Sequence, residues 1–160
     1  MTPLLWIVSG ISAIIVVVAV VYGLPRWRAN RQEGRLIRAR ETFQRRREWL
    51  EAKFLTLASQ SGRPRGLSWA HCEFDDQVTF ARDRNSGDIS AFVAVTIKFE
   101  AVPGGGMEEV EAVANHKAAT AVFTFGGDDD WFTQGRTVFN LNPVETIERF
   151  QNELESVDGI

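Results

Sequence analysis

Residues 4–24, LLWIVSGISAIIVVVAVVYGL, form an apolar run free of charged side chains. As a helix they would measure roughly 32 Å, enough to cross a hydrocarbon core of about 30 Å. A cleaved signal peptide fits the run less well. Met1-Thr2-Pro3 supplies no charged side chain, the apolar stretch is long for such a leader, and Tyr22-Gly23-Leu24-Pro25 is a poor cleavage site. Trp6 at one end and Tyr22 and Trp27 at the other suit the two interfacial belts of a bilayer. The small residues Ser9, Gly10 and Ser12 do not make a GxxxG seam, so a lipid-facing helix is expected rather than a packed dimer helix.

Orientation follows from charge. Residues 26–47 hold nine arginines against Glu33 and Glu41. The positive-inside rule then puts the short N-terminus outside and the long C-terminal part in the cytoplasm of a single-pass cell-membrane protein. Arg26, Arg28, Arg31 and Arg35 are the residues expected to contact the membrane surface. Cys72 is the lone cysteine, which excludes an intramolecular disulfide and agrees with a reducing compartment. The formal charge of −3 conceals two halves: residues 1–53 carry ten basic and four acidic side chains, residues 54–160 eight basic and 17 acidic. An acidic domain beside an anionic leaflet is repelled while the basic segment is attracted. The arginine run lacks the interleaved aromatics of a nucleic-acid interface, and no nucleic-acid partner is expected.

Three segments emerge: a transmembrane anchor over 1–25, with Pro25 as helix exit or kink, a basic stem over 26–48, and a soluble α+β domain over 49–160. Leu36, Phe43, Leu50, Phe54 and Leu57 recur at helical spacing and predict a helix over 36–58, its apolar stripe broken near Arg46 and Arg47. That break argues against a sustained coiled coil. Strand patterns follow at 67–74 and 78–84, interrupted at Asp75-Asp76, then a hairpin turn at 85–88 and a strand over 89–102. In the last of these Val93, Val95, Ile97 and Phe99 alternate with Phe92, Ala94, Thr96 and Lys98, so the first set is expected to face the core. Residues 107–119 are ambiguous between helix and strand, and one long strand over 109–125 is expected. A final strand is expected over 131–141, with Gly135 as a bulge or inner turn. Asn142, Pro143 and Glu145 have the spacing of an N-cap, a first helical position and a capping-box partner, predicting a short C-terminal helix to about Leu154.

The sum is one helix packed on a four-stranded antiparallel sheet, with a short C-terminal helix. This element order over 36–141 is similar to cystatin-like and NTF2-like architecture, in which a curved sheet wraps a long helix. The resemblance implies a fold and, through a concave sheet, a possible pocket lined by Trp69, His71, Phe80, Phe92 and Phe123.

Chemistry-bearing residues are sparse. His71 and Cys72 are neighbours on a strand and point to opposite faces, so they are not a nucleophile–base pair. With His116 they make a poor zinc set. Asp75 and Asp76 fit a solvated bulge, and Gly126-Gly127-Asp128-Asp129-Asp130 lacks the ligand spacing of an EF-hand. Gly104-Gly105-Gly106 has neither the lysine nor the spacing of a phosphate loop. No catalytic residue, cofactor or metal ligand is assigned. The expected role is a non-catalytic, membrane-anchored module that binds a protein partner or itself. The alternative is an NTF2-like domain whose pocket binds or turns over a small ligand.

Overall fold

A computed structural model describes the backbone of residues 3–61, 66–110 and 116–157, and the side chains within 31–60, 66–110 and 116–157. In chain order the elements are α1 (Pro3–Ser61), β1 (Leu67–Asp83), β2 (Ile89–Ala101), β3 (Lys117–Phe125), β4 (Trp131–Phe132), β5 (Thr137–Phe139), α2 (Pro143–Arg149) and β6 (Leu154–Ser156). The described residues are α+β, with two helices and an antiparallel sheet of six strands. Contacts divide it into two units, Met1–Arg38 and Ala39–Ile160. α1 continues through Pro25, where a helix exit or kink was expected, so the exit is not found. Among the described residues no helix is long and apolar enough to cross a membrane. The expected span at 4–24, and the expected surface contacts Arg26 and Arg28, fall outside the described side chains.

The second unit is built on the C-terminal part of α1. Ala39, Phe43, Leu50, Phe54 and Ala58 are buried along one stripe at steps of four, seven, four and four, with the expected Leu36 and Leu57 only half-buried beside it. Arg47 stands where that stripe would otherwise carry an apolar side chain. Its Nε donates to Glu51 Oε1 at 2.7 Å and its Nη1 to the Asp76 carbonyl at 2.7 Å. Nη2 donates to the Asp75 carbonyl. Several arginines of the segment read as a stem therefore serve the domain: Arg47 holds the β1 bulge, Arg46 pairs with Asp130, and Arg40 lies over the Phe80 ring at 5.5 Å.

The sheet runs in the order β4-β3-β2-β1-β6, and β5 also pairs with β3. β1 is a single long strand with register shifts between Trp69 and His71 and between Phe74 and Val78. The second shift is the Asp75-Asp76 bulge expected from the sequence. The turn after β1 closes as expected, with Asp83 N–H donating to the Asp88 carbonyl at 2.8 Å. β3 begins at Lys117, not Glu109. Met107–Val110 turns instead, with Val110 N–H on the Met107 carbonyl at 3.2 Å, and 111–115 lies outside the described residues.

Two more expectations change. The strand expected over 131–141 is split into β4 and β5 at Thr133–Arg136, and with β6 the described sheet has six strand segments where four were expected. Gly135 lies at φ 72°, and a Cβ there would come within 2.6 Å of the Ala58 backbone nitrogen. The loop leans against α1 at that point, and a regular strand would carry it away. The C-terminal helix ends at Arg149, and Leu154 enters β6, which pairs with β1 at 81–83. Its start is as the sequence predicts: Asn142 Oδ1 accepts from Glu145 N–H at 2.9 Å, and Glu145 Oε2 accepts from Asn142 N–H at 2.9 Å.

Candidate functional site, an open cleft on the outer face of the sheet

Period-two alternation assigns each strand residue to one of two faces. The face toward α1 is a closed aromatic core. The Phe43 ring meets Trp131 at 4.9 Å, Phe123 at 5.5 Å and Phe80 at 5.9 Å, all near edge-to-face. Phe54 meets Phe123 at 5.7 Å and Phe74 at 5.8 Å. Such pairs add about 1 kcal/mol each beyond the area they bury. Trp131 Nε1 donates to the Ala39 carbonyl at 2.9 Å, so even the indole nitrogen is spent inside.

The structure does not bring the five expected pocket residues together: Trp69 and His71 line one groove of about 440 Å³ beside Leu55 and Ser59, and Phe80, Phe92 and Phe123 lie elsewhere. Phe80 and Phe123 are packed around Phe43, and Trp69 sits further along the same face, 6.4 Å from Phe54 and 5.8 Å from Phe99. Phe92 points to the other face, opposite Val122. His71 is exposed and pairs with the exposed Glu73, Nε2 to Oε1 at 3.1 Å. The helix side chains thus occupy the volume that a concave pocket would need.

The outer face is covered only in part. Ala81, Phe92, Val122 and Ile147 form a small buried cluster, with Val138 and Leu154 packed at its rim. α2 and the segment after it lie over this cluster and leave a cleft of about 280 Å³ beside it. Phe92, Val122 and Val138 floor the cleft, and Phe132 and Phe150 wall it. Asp83, Asp88, Glu153 and Arg136 stand around it. The Arg136 guanidinium lies over the Phe150 ring, 5.8 Å from its centroid. Asp83 Oδ1 accepts from the backbone N–H of Asn85 and of Ser86, each at 2.8 Å. Those two bonds hold its carboxyl below the ordinary carboxylate range. On the far side of α2 a shallower, mostly apolar groove of about 550 Å³ is lined by Val78, Thr79, Val144 and Ile147.

The remaining candidate groups do not line this cleft. The Cys72 thiol is pushed up to about 12, first by burial and then by the carboxylates of Glu51 and Glu73, so it is a poor nucleophile. His116 is exposed. Asp75 Oδ1 accepts from Gln77 N–H at 2.7 Å and shapes the bulge. In the 126–130 turn Asp130 accepts from Trp131 N–H at 2.8 Å and pairs with Arg46, which together hold its carboxyl low. Among the described residues no group of three or more His, Cys, Asp or Glu side chains could hold a metal ion.

Reading by residue type alone missed Arg136, Phe132, Phe150 and Glu153. Only the interruption at Gly135, which turns Gln134 and Arg136 outward, hinted at them. No family model matches the chain, and neither a curated protein nor a solved structure matches it.

Proposed function

We propose that this chain is a single-pass membrane protein whose C-terminal α+β domain acts by binding, as a non-catalytic module for a protein partner or for a second copy of itself. The observation that carries the reading is the uncharged run at 4–24 followed at once by the arginines from residue 26. Arg26, Arg28, Arg31 and Arg35 follow the run in the sequence, and basic residues at that position are attracted to an anionic leaflet. The domain, with its acidic excess, faces the cytoplasm in this reading.

Two measurements test it in cells. The full chain should stay with the membrane pellet after alkaline carbonate extraction, and protease added to intact cells should leave the C-terminal domain whole. Extraction into the supernatant would sink the span. Loss of the domain to external protease would reverse the orientation.

A second reading has a specific observation behind it. The cleft beside Phe92 gives a small-ligand domain a place to bind, on the face of the sheet opposite to the concave one that the cystatin-like or NTF2-like resemblance implies. The cleft is recessed and sets converging polar side chains beside Phe132 and Phe150, and small molecules bind where polar groups converge beside aromatic ones.

A further inference from the structure

We infer that the outer-face cleft binds a compact amphiphilic cation, an amine or guanidinium carried on a small apolar body. The inference rests on the small-ligand reading and names the ligand class. The first observation is size. About 280 Å³ is at the lower end of ligand sites, so the occupant is a small molecule and not a helix or strand of a partner. The second is the apolar surface at the rim, where Phe132 is 38 % exposed and Val138 only partly buried, for an aliphatic or aromatic body to cover. The third is the sign of the surroundings. Asp83, Asp88 and Glu153 line the cleft against the single guanidinium of Arg136. Asp83 is kept ionised by two backbone N–H groups, so its charge persists into mildly acidic solution.

The fourth observation bears on cations directly. The Phe150 ring at the wall already has the Arg136 guanidinium over one face. Aromatic faces attract cations through the ring quadrupole, and Phe132, which is 38 % exposed, presents another ring at the same opening. Carboxylates beside exposed ring faces favour a cation with a greasy body. An anion would find one arginine, already stacked, and three carboxylates.

The test uses the full chain in lipid nanodiscs, with empty nanodiscs as control for partitioning. Phenethylamine, its isostere phenethyl alcohol and the anion 3-phenylpropionate are titrated, and the amide shifts of Ser90, Thr124 and Glu153 are followed. The expected result is saturable binding of the amine, about tenfold tighter than the alcohol, with no saturable binding of the anion. Glu153→Gln replaces an exposed carboxylate and should weaken the amine by about fivefold, with Glu153→Asp restoring most of it. Phe132→Ala, also at the surface, should weaken amine and alcohol together. Equal binding of amine and alcohol, preference for the anion, or an amine affinity indifferent to Glu153→Gln would overturn the cation assignment and leave a ligand cleft in place. No shift with any of the three compounds would remove the small-ligand reading as well, while the membrane reading would stand or fall on the carbonate and protease experiments.

Discussion

The two faces of the sheet draw on the same strands and reach different degrees of closure. Toward α1, Phe43, Phe54, Phe123 and Trp131 interlock and are buried, and the face opens only toward its end, where Leu55 and Trp69 line a groove. Toward solvent, Phe92 and Val122 are covered by the seven residues of α2 and by the short return into β6. A long helix delivers a side chain to the sheet at every turn, whereas a two-turn helix delivers one or two and leaves a gap beside them. Thr146 and Ile147 are the α2 residues that go in, and Val144 stays 55 % exposed. The closed face gives the domain its stability, and the incompletely closed face is where a site can exist without dismantling the core.

That comparison predicts an order of effects. Phe43→Ala removes a ring held by three others and should destabilise by about 3–5 kcal/mol, to be measured by denaturant unfolding of the domain. Gly135→Ala should follow at about 2–3 kcal/mol, since the new Cβ meets the backbone of Ala58 and Leu57 at a left-handed φ. Phe92→Ala, on the outer face, should lose only about 2 kcal/mol, because the vacated volume opens onto the cleft instead of becoming a sealed cavity. Equal losses for Phe43→Ala and Phe92→Ala would break the contrast. Asn142→Ala removes half of the capping box that starts α2 and should lose about 1 kcal/mol. It should also expose Ile147 without disturbing the Phe43 cluster, a difference that site-resolved hydrogen exchange reads directly.

The closed face was legible in the sequence, and the open one was not. The spacing of Phe43, Leu50 and Phe54 together with the alternation of Val93, Val95, Ile97 and Phe99 defines two complementary surfaces, and the structure joins them. The capping box at Asn142 and Glu145 could be read because cap chemistry is local. The expected pocket failed on parity. Phe92 and Phe123 are both strand aromatics, but Phe123 pairs with Ala91, so the neighbouring Phe92 has to point the other way. The end of α2 was hidden because Ile147, Phe150 and Leu154 satisfy a helical period and also a helix that stops at Arg149 before turning into a strand. Only the open edge of β1 at 81–83, which the return fills, decides between them. The cleft inherits that ambiguity, since Phe150, Glu153 and Leu154 line it only once the turn is made.

The smallest effect belongs to the Arg46–Asp130 pair at the margin of the closed face. Asp130 is held below its ordinary value by the Arg46 hydrogen bond first, and by the Trp131 N–H as well. A carboxylate whose folded value is depressed stabilises the fold above its unfolded value near 3.8, and that stability disappears as pH falls through the lower folded value. Both side chains are 49 % exposed, so solvent and salt screen the pair and its contribution is a few tenths of a kcal/mol. Asp130→Asn keeps an acceptor for the Trp131 N–H and removes only the charge. The substitution should therefore leave stability at neutral pH within about 0.5 kcal/mol and slightly flatten the acid limb of the unfolding curve, an effect that high salt erases. A loss above about 1 kcal/mol at neutral pH would mean that the charge pair, and not the ring cluster, holds the Trp131 turn against α1.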